Sequence, residues 1–138
     1  MYLLDTNVIS ELRKAGTSKM NPQVHAWAQS IAPTRLFLSV ISILEIEQGI
    51  LSVMRRDKKQ GQLLKKWLMN IILPVFADRI IPIDVPIALR YADLHVPNPS
   101  SERDAMIAAT AIEHRLTLVT RNTSDFDPIK LKLINPWD

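Results

Sequence analysis

The chain has 138 residues, no cysteine, 47% hydrophobic and 22% charged residues, and a formal net charge of +3. That length and balance suit one globular domain with a buried core, spanning 1–138, and exclude a disordered or fibrous chain. Without thiols, disulfides and thiolate zinc sites are excluded, so any metal would need oxygen or imidazole ligands.

The first acid stands at position 5, too early for a signal peptide, and the longest apolar stretch, WLMNIILPVF at 67 to 76, is interrupted by Pro74 and too short to span a bilayer. A cytoplasmic protein with no membrane partner is the expectation. The slight excess of positive charge permits a polyanionic partner without requiring one.

In chain order, Tyr2 to Leu4 reads as a short buried strand, ended by Asp5. Asn21 followed by Pro22 is an N-cap and first-turn pair, and Val24, Trp27, Ala28 and Ile31 then share one helical face. A second strand is expected over Leu36 to Val40, and the segment after it turns helical around Glu45. Leu64, Trp67, Leu68 and Ile71 make another helical stripe, opposed by Lys65, Lys66 and Asn70. Ile80 to Ile83 is a third strand, and Asp84 with Pro86 opens a helix whose inner face would be Ile87, Ala88, Tyr91 and Ala92. Residues 105 to 112, AMIAATAI, are apolar almost all round, which predicts a helix pressed against a sheet through small side chains. Thr117 to Val119 is a fourth strand and Lys130 to Ile134 a weaker fifth. Strands alternating with helices predict a parallel sheet covered on both faces, which gathers functional residues at the carboxyl ends of its strands.

Four acids fall at such ends: Asp5 after the first strand, Glu45 after the second, Asp104 at the start of the alanine-rich helix, and Asp125 past the fourth strand. Carboxylates gathered without matching cations repel one another, and a hard divalent ion relieves them, bound through one or two carboxylates plus water. Such an ion activates water and stabilises charge on a phosphate, so a chain with no evident cysteine or serine nucleophile could still hydrolyse a phosphodiester. Capping is the competing use. Ser42 with Glu45 has the capping-box spacing, Ser101 stands three residues before Asp104, and Asn122 three before Asp125. Asp5 fits that use least, because Thr6 or Asn7 could cap the next helix equally well.

The segments LLDTNVIS at 3 to 10, SVISILEIEQG at 39 to 49, DAMIAATA at 104 to 111 and LTLVTRNTSDF at 116 to 126, with a closing INPW, together resemble the PIN-domain ribonucleases, and within them the VapC-type toxins of bacterial toxin-antitoxin pairs. The resemblance runs from end to end of the chain. It implies a three-layer sandwich, with a central parallel sheet of four or five strands between helices. It also implies endoribonuclease activity dependent on Mg²⁺ or Mn²⁺, leaving a 5′-phosphate and a 3′-hydroxyl, with structured RNA such as transfer RNA as a habitual target. The implied partners are a cognate antitoxin that inhibits the enzyme and carries it to operator DNA, and a second copy in a homodimer or a toxin-antitoxin hetero-oligomer.

Matched residue by residue, Asp5, Glu45 and Asp104 take the family's acidic positions, Asp5 and Asp104 as metal ligands, with Thr6, Asn7 and Thr120 supporting them from behind. Glu45 is preferred to Glu47 because it stands four residues before Gly49, as in the family's E-x-x-x-G pattern. One departure stands out. Many members carry Asp directly after the Thr-Arg pair of the last motif, where this chain has Asn122. The fourth position is therefore shared between Asn122 and Asp125, with Asp125 favoured, and one bound metal is as consistent with the motif as two. Arg121 is the expected contact to substrate or antitoxin, ahead of the basic run from Arg55 to Lys66, which reads as a solvated helix face.

Two other readings are open. A receiver domain has a similar sheet but needs a second acid beside Asp5, an Asp ending its middle strand and a Lys after the last strand, and Asp84 and Lys130 are poor stand-ins for the last two. A catalytically silent PIN-fold module binding RNA or protein would accommodate Asn122.

Overall fold

In the computed structural model, which describes residues 1–96, 99 and 101–138, the sheet order is β3-β2-β1-β4-β5 and every pairing is parallel. The strands are β1 Tyr2–Leu4, β2 Leu36–Ser39, β3 Ile80–Ile81, β4 Thr117–Val119 and β5 Leu133–Ile134. The helices are α1 Thr6–Leu12, α2 Pro22–Gln29, α3 Val40–Arg56, α4 Lys58–Trp67, α5 Leu73–Val75, α6 Val85–His95 and α7 Glu102–Glu113. Among the described residues no helix is long and apolar enough to cross a membrane.

Side chains alternate across the strands, so each strand feeds both faces. Leu3 and Leu118 pack with Ile87, Ile107, Ala108, Ala111 and Phe126 on one side. Leu4 and Val119 pack with Val8, Ile9, Ile46, Ile50, Leu68 and Ile72 on the other. The small side chains Ala105, Ala108, Ala109 and Ala111 are fully buried, and they bring the α7 backbone close to the sheet. From β1 the chain moves outward to β2 and β3, then returns to lay β4 on the opposite side of β1. The reversal leaves a crevice at the carboxyl ends of β1 and β4, the place where such sheets bind ligands.

Several local expectations change for physical reasons. Val40 belongs to α3 and not to β2, because Ser39 Oγ accepts from the Ile41 N–H at 3.0 Å and starts the helix one residue early. The third strand stops at Ile81, before Pro82 and the Asp84 cap of α6, where Asp84 Oδ1 accepts from the Ile87 N–H at 3.1 Å. The fifth strand is confined to Leu133–Ile134. On α6 the inner face is Ile87, Tyr91 and Leu94, while Ala88 and Ala92 are exposed. That is the i, i+4, i+7 row starting from Ile87, the one residue of the helix that is fully buried. In the stripe after α4, Ile71 is exposed and Ile72 is buried. A π-helical turn at Leu68–Ile72 inserts one residue per turn and so rotates the apolar face by one position before α5 begins.

The helices α3 and α4 touch closely at Gly61. A Cβ there would collide with Met54 Cγ and lie 2.9 Å from Met54 Cα. Since backbone as well as side chain must yield, Gly61→Ala should destabilise the protein by about 1–3 kcal/mol, read as a lowered urea midpoint without a change in slope.

Candidate active site

Asp5 sits where β1 gives way to α1. Its N–H donates to the Val119 carbonyl at 2.9 Å, which extends the β1–β4 ladder by one residue and fixes the Asp5 backbone beside β4. Its side chain is also the N-cap of α1, Oδ1 accepting from the Thr6 N–H at 2.8 Å. Thus Asp5, which seemed the acid least suited to capping, is the one that caps. The other oxygen, Oδ2, accepts from the Thr120 hydroxyl at 2.7 Å and from Asn7 Nδ2 at 3.5 Å. Thr120 is fully buried and Asp5 nearly so. Burial raises the Asp5 pKa above its ordinary value, outweighing the donors Thr120 and Thr6, and the charges of Glu45 and Asp125 add to the rise.

For the remaining acids the capping use is not realised. Ser39 caps α3, which leaves Ser42 inside the helix on its first turn and Glu45 on its second. Ser101 is at the N-cap position of α7 but makes no side-chain cap bond, and neither does Asn122 before the 3₁₀ turn Thr123–Phe126. Glu45 instead faces α1: Thr6 Oγ1 donates to Glu45 Oε1 at 2.8 Å and shares a 3.0 Å hydrogen bond with Ser42 Oγ. Glu47 points elsewhere and pairs with Lys65 on α4.

Asp104 is half-buried on the first turn of α7. Its pKa is pushed up to about 6, by burial first and then by the charges of Asp5, Asp125 and Glu45, with no hydrogen bond or cation among the described residues to offset them. Four carboxylates from four segments therefore share one electrostatic neighbourhood at the carboxyl edge of the sheet. Of the two residues weighed for the fourth position, Asp125 contributes charge to both Asp5 and Asp104. Asn122 takes part through its backbone, its N–H donating to Thr120 Oγ1 at 3.1 Å.

The donor set is oxygen throughout, which suits Mg²⁺ or Mn²⁺. Among the described residues no three histidine, aspartate or glutamate side chains are placed together so as to hold a metal ion. A hard cation bound by one or two carboxylates and completed by water fits this arrangement. Asp5 keeps a free lone pair on Oδ1 beyond its bond to the Thr6 N–H, while Thr120 and Asn7 take both sites on Oδ2, and among the described residues Asp104 has no bonded partner lowering its pKa.

Sequence reasoning missed Ser42 as a partner of Thr6 and passed over Arg103, whose guanidinium lies 3.8 Å from Glu45 Oε2 and is the cation nearest that carboxylate among the described residues. The i, i+3 spacing of Ser42 and Glu45 was a signal for the first. Nothing local distinguishes Arg103 from any arginine at a helix start. Arg121, expected to face the site, lies over the Trp137 ring with its guanidinium carbon 5.2 Å from the centroid. Trp67 lines a groove of about 250 Å³ that begins at Thr6 and Glu45 and passes Gly49 and Val53. Trp27 packs edge-on against Tyr2.

Because folding favours the proton on Asp104, the folded state holds more protons than the unfolded chain between the ordinary value of 3.8 and about pH 6. Stability contributed by this group is complete below pH 3.8 and is lost as pH rises through about 6. In EDTA, urea denaturation at pH 4 and pH 7 should show Asp104→Asn losing less stability than the native chain by on the order of 1 kcal/mol, after solvent screening of a half-buried group.

Comparison with known proteins follows the same lines. The PIN domain sequence model matches residues 2–130. Over 142 residues the chain is 37% identical to Toxin FitB of Neisseria gonorrhoeae, with 99% of each chain covered. Over 143 residues it is 37% identical to VapC ribonuclease Y4jK of Sinorhizobium fredii, with 100% of this chain and 99% of that one covered. Among solved structures, that of FitAB bound to the IR36 DNA fragment superposes with a TM-score of 0.86 at 35% identity, covering 100% of this chain and 96% of that one.

Proposed function

The chain belongs to the PIN-domain family, and on that premise we propose that it is an endoribonuclease toxin that needs Mg²⁺ or Mn²⁺ and is silenced by a cognate antitoxin. The observation that carries the reading is the gathering of Asp5, Glu45 and Asp125 around a half-buried Asp104, whose pKa burial first and then these three charges push up to about 6. The cation nearest the group among the described residues, Arg103, lies on Glu45 and not on Asp104. A purely structural set of caps would spend these carboxylates on backbone amides. Only Asp5 is spent that way, and only in part.

In this reading Asp5 and Asp104 hold the cation, and Glu45 and Asp125 complete its charge environment. When bound, the cation lowers the pKa of water and neutralises charge on the phosphate under attack. The remaining work belongs to the protein. The Thr6 hydroxyl fixes Glu45, while Thr120 and Asn7 fix Asp5, each by a neutral donor that orients without neutralising. Arg103, exposed beside Glu45, is placed to meet an RNA phosphate.

The relatives' names supply the biological setting. One is called a toxin, one a VapC ribonuclease, and the FitAB complex binds DNA. For this chain the corresponding partners are RNA as substrate, an antitoxin, and operator DNA reached through that antitoxin. The groove from Glu45 to Trp67 meets an apolar cleft of about 190 Å³ lined by Leu12, Trp67 and Ile71. An antitoxin helix with apolar anchors would lie along such a surface.

The test is cleavage of cellular RNA by the full chain with Mn²⁺, with new ends mapped. Cleavage should disappear in EDTA and fall at least about 100-fold in Asp104→Asn. Cleavage indifferent to both would overturn the assignment, and binding of RNA without new ends would indicate a silent module.

A further inference from the structure

The hydrogen bonds around Asp5 continue, link by link, to a residue 130 positions later in the chain, Asn135. The Thr120 N–H donates to the Ile134 carbonyl at 2.9 Å, which lays the C-terminal segment beside residues 120–122. One residue on, Asn135 Nδ2 donates to the Arg121 carbonyl at 3.3 Å, while its Oδ1 accepts from the Trp137 N–H at 2.9 Å. Pro136 is buried between them, and the Trp137 ring carries the Arg121 guanidinium.

The Arg121 carbonyl and the Asn122 N–H belong to one planar peptide unit. Asn135 holds its carbonyl end, and its N–H end donates to Thr120 Oγ1 at 3.1 Å. A hydroxyl has a single proton. With Asn122 N–H occupying an acceptor site on Thr120 Oγ1, that proton goes to Asp5 Oδ2, 2.7 Å away. The preceding peptide has the same effect on Asn7. The Arg121 N–H donates to Asn7 Oδ1 at 3.2 Å, so the amide cannot flip and its Nδ2 faces Thr120 Oγ1 at 3.4 Å and Asp5 Oδ2 at 3.5 Å. Both side-chain donors on Asp5 Oδ2 therefore take their orientation from the segment that Asn135 clamps.

We propose that Asn135 is a positioning residue for Asp5: by holding the Arg121 carbonyl it fixes the loop at Arg121, whose two adjoining peptides set the donors Thr120 and Asn7 that orient the Asp5 carboxylate for its divalent cation. This rests on the metal-dependent reading above. Residues that orient metal ligands in this way typically change metal affinity about 10- to 100-fold when removed.

Mn²⁺ binding to the full chain, measured by calorimetry, tests it with two variants. Asn135→Asp keeps the acceptor for the Trp137 N–H but cannot donate to the Arg121 carbonyl, whereas Asn135→Ala loses both bonds. The extra negative charge of the Asp variant would by itself tighten cation binding, so a weaker Kd reads the missing donor. The expectation is a Kd for Mn²⁺ raised about 10-fold in both variants, with Asn135→Asp melting in EDTA as the native chain does. In RNA cleavage kcat should drop while KM holds.

Native Mn²⁺ affinity in Asn135→Asp overturns the proposal, and so does weakening confined to Asn135→Ala together with a lower melting temperature, since the residue would then act only through the C-terminal turn. Asp5→Asn separates the two levels. If it abolishes Mn²⁺ binding while Asn135→Asp binds normally, positioning by Asn135 fails alone. If the native chain binds no Mn²⁺, the metal-dependent reading fails with it.

Discussion

Like charges held together at the carboxyl edge of the sheet set the terms for everything else in this fold. Asp5, Glu45, Asp104 and Asp125 come from four separate segments, and each of the other three raises the proton affinity of Asp104. Repulsion of this kind would spread the segments apart unless packing held them. On one side of the sheet the alanines of α7 allow its backbone to approach closely enough that Asp104 reaches the edge, and on the other the Ile46 and Ile50 side chains of α3 anchor the helix that carries Glu45. Apolar burial on both faces thus stabilises an arrangement that the charges alone disfavour.

The groups that orient these carboxylates are neutral. Thr6, Ser42, Asn7 and Thr120 hold them through hydroxyls and an amide. A lysine or arginine in those places would bind more strongly, but it would also cancel the negative potential of the rim. Glu47 illustrates the contrast on the same helix, since it pairs with Lys65 and so contributes no free charge to the rim. Arg103 comes nearest to breaking the pattern, yet at 3.8 Å and open to solvent its pull on Glu45 is screened.

Capping does not use up the Asp5 carboxylate. Asp5 satisfies the first amide of α1 with Oδ1 and faces Thr120 and Asn7 with Oδ2. A carboxylate offers about four lone pairs, so capping fixes its orientation without exhausting it. Elsewhere caps fell to residues that carry no part of the rim, Ser39 for α3 and Asp84 for α6. That division of labour is why Ser42 and Glu45, despite their capping-box spacing, are free to face α1.

The strands, the caps at Asn21 and Asp84, and the identity of the four acids were legible in the chain, because two-fold alternation, cap chemistry and charge next to apolar runs are local properties of a few neighbouring residues. Families of motifs spaced along the sequence added the likeness to PIN-domain toxins. Facing and partnership needed the tertiary structure. A π turn decides between Ile71 and Ile72 only once the helix packs, and Arg121 lies on Trp137 only because β5 brings the C-terminus beside β4. The same crossing brings Asn135 to the loop behind Asp5. No periodicity within one segment encodes contacts between residues so distant in the chain, because they exist only after the sheet order is fixed.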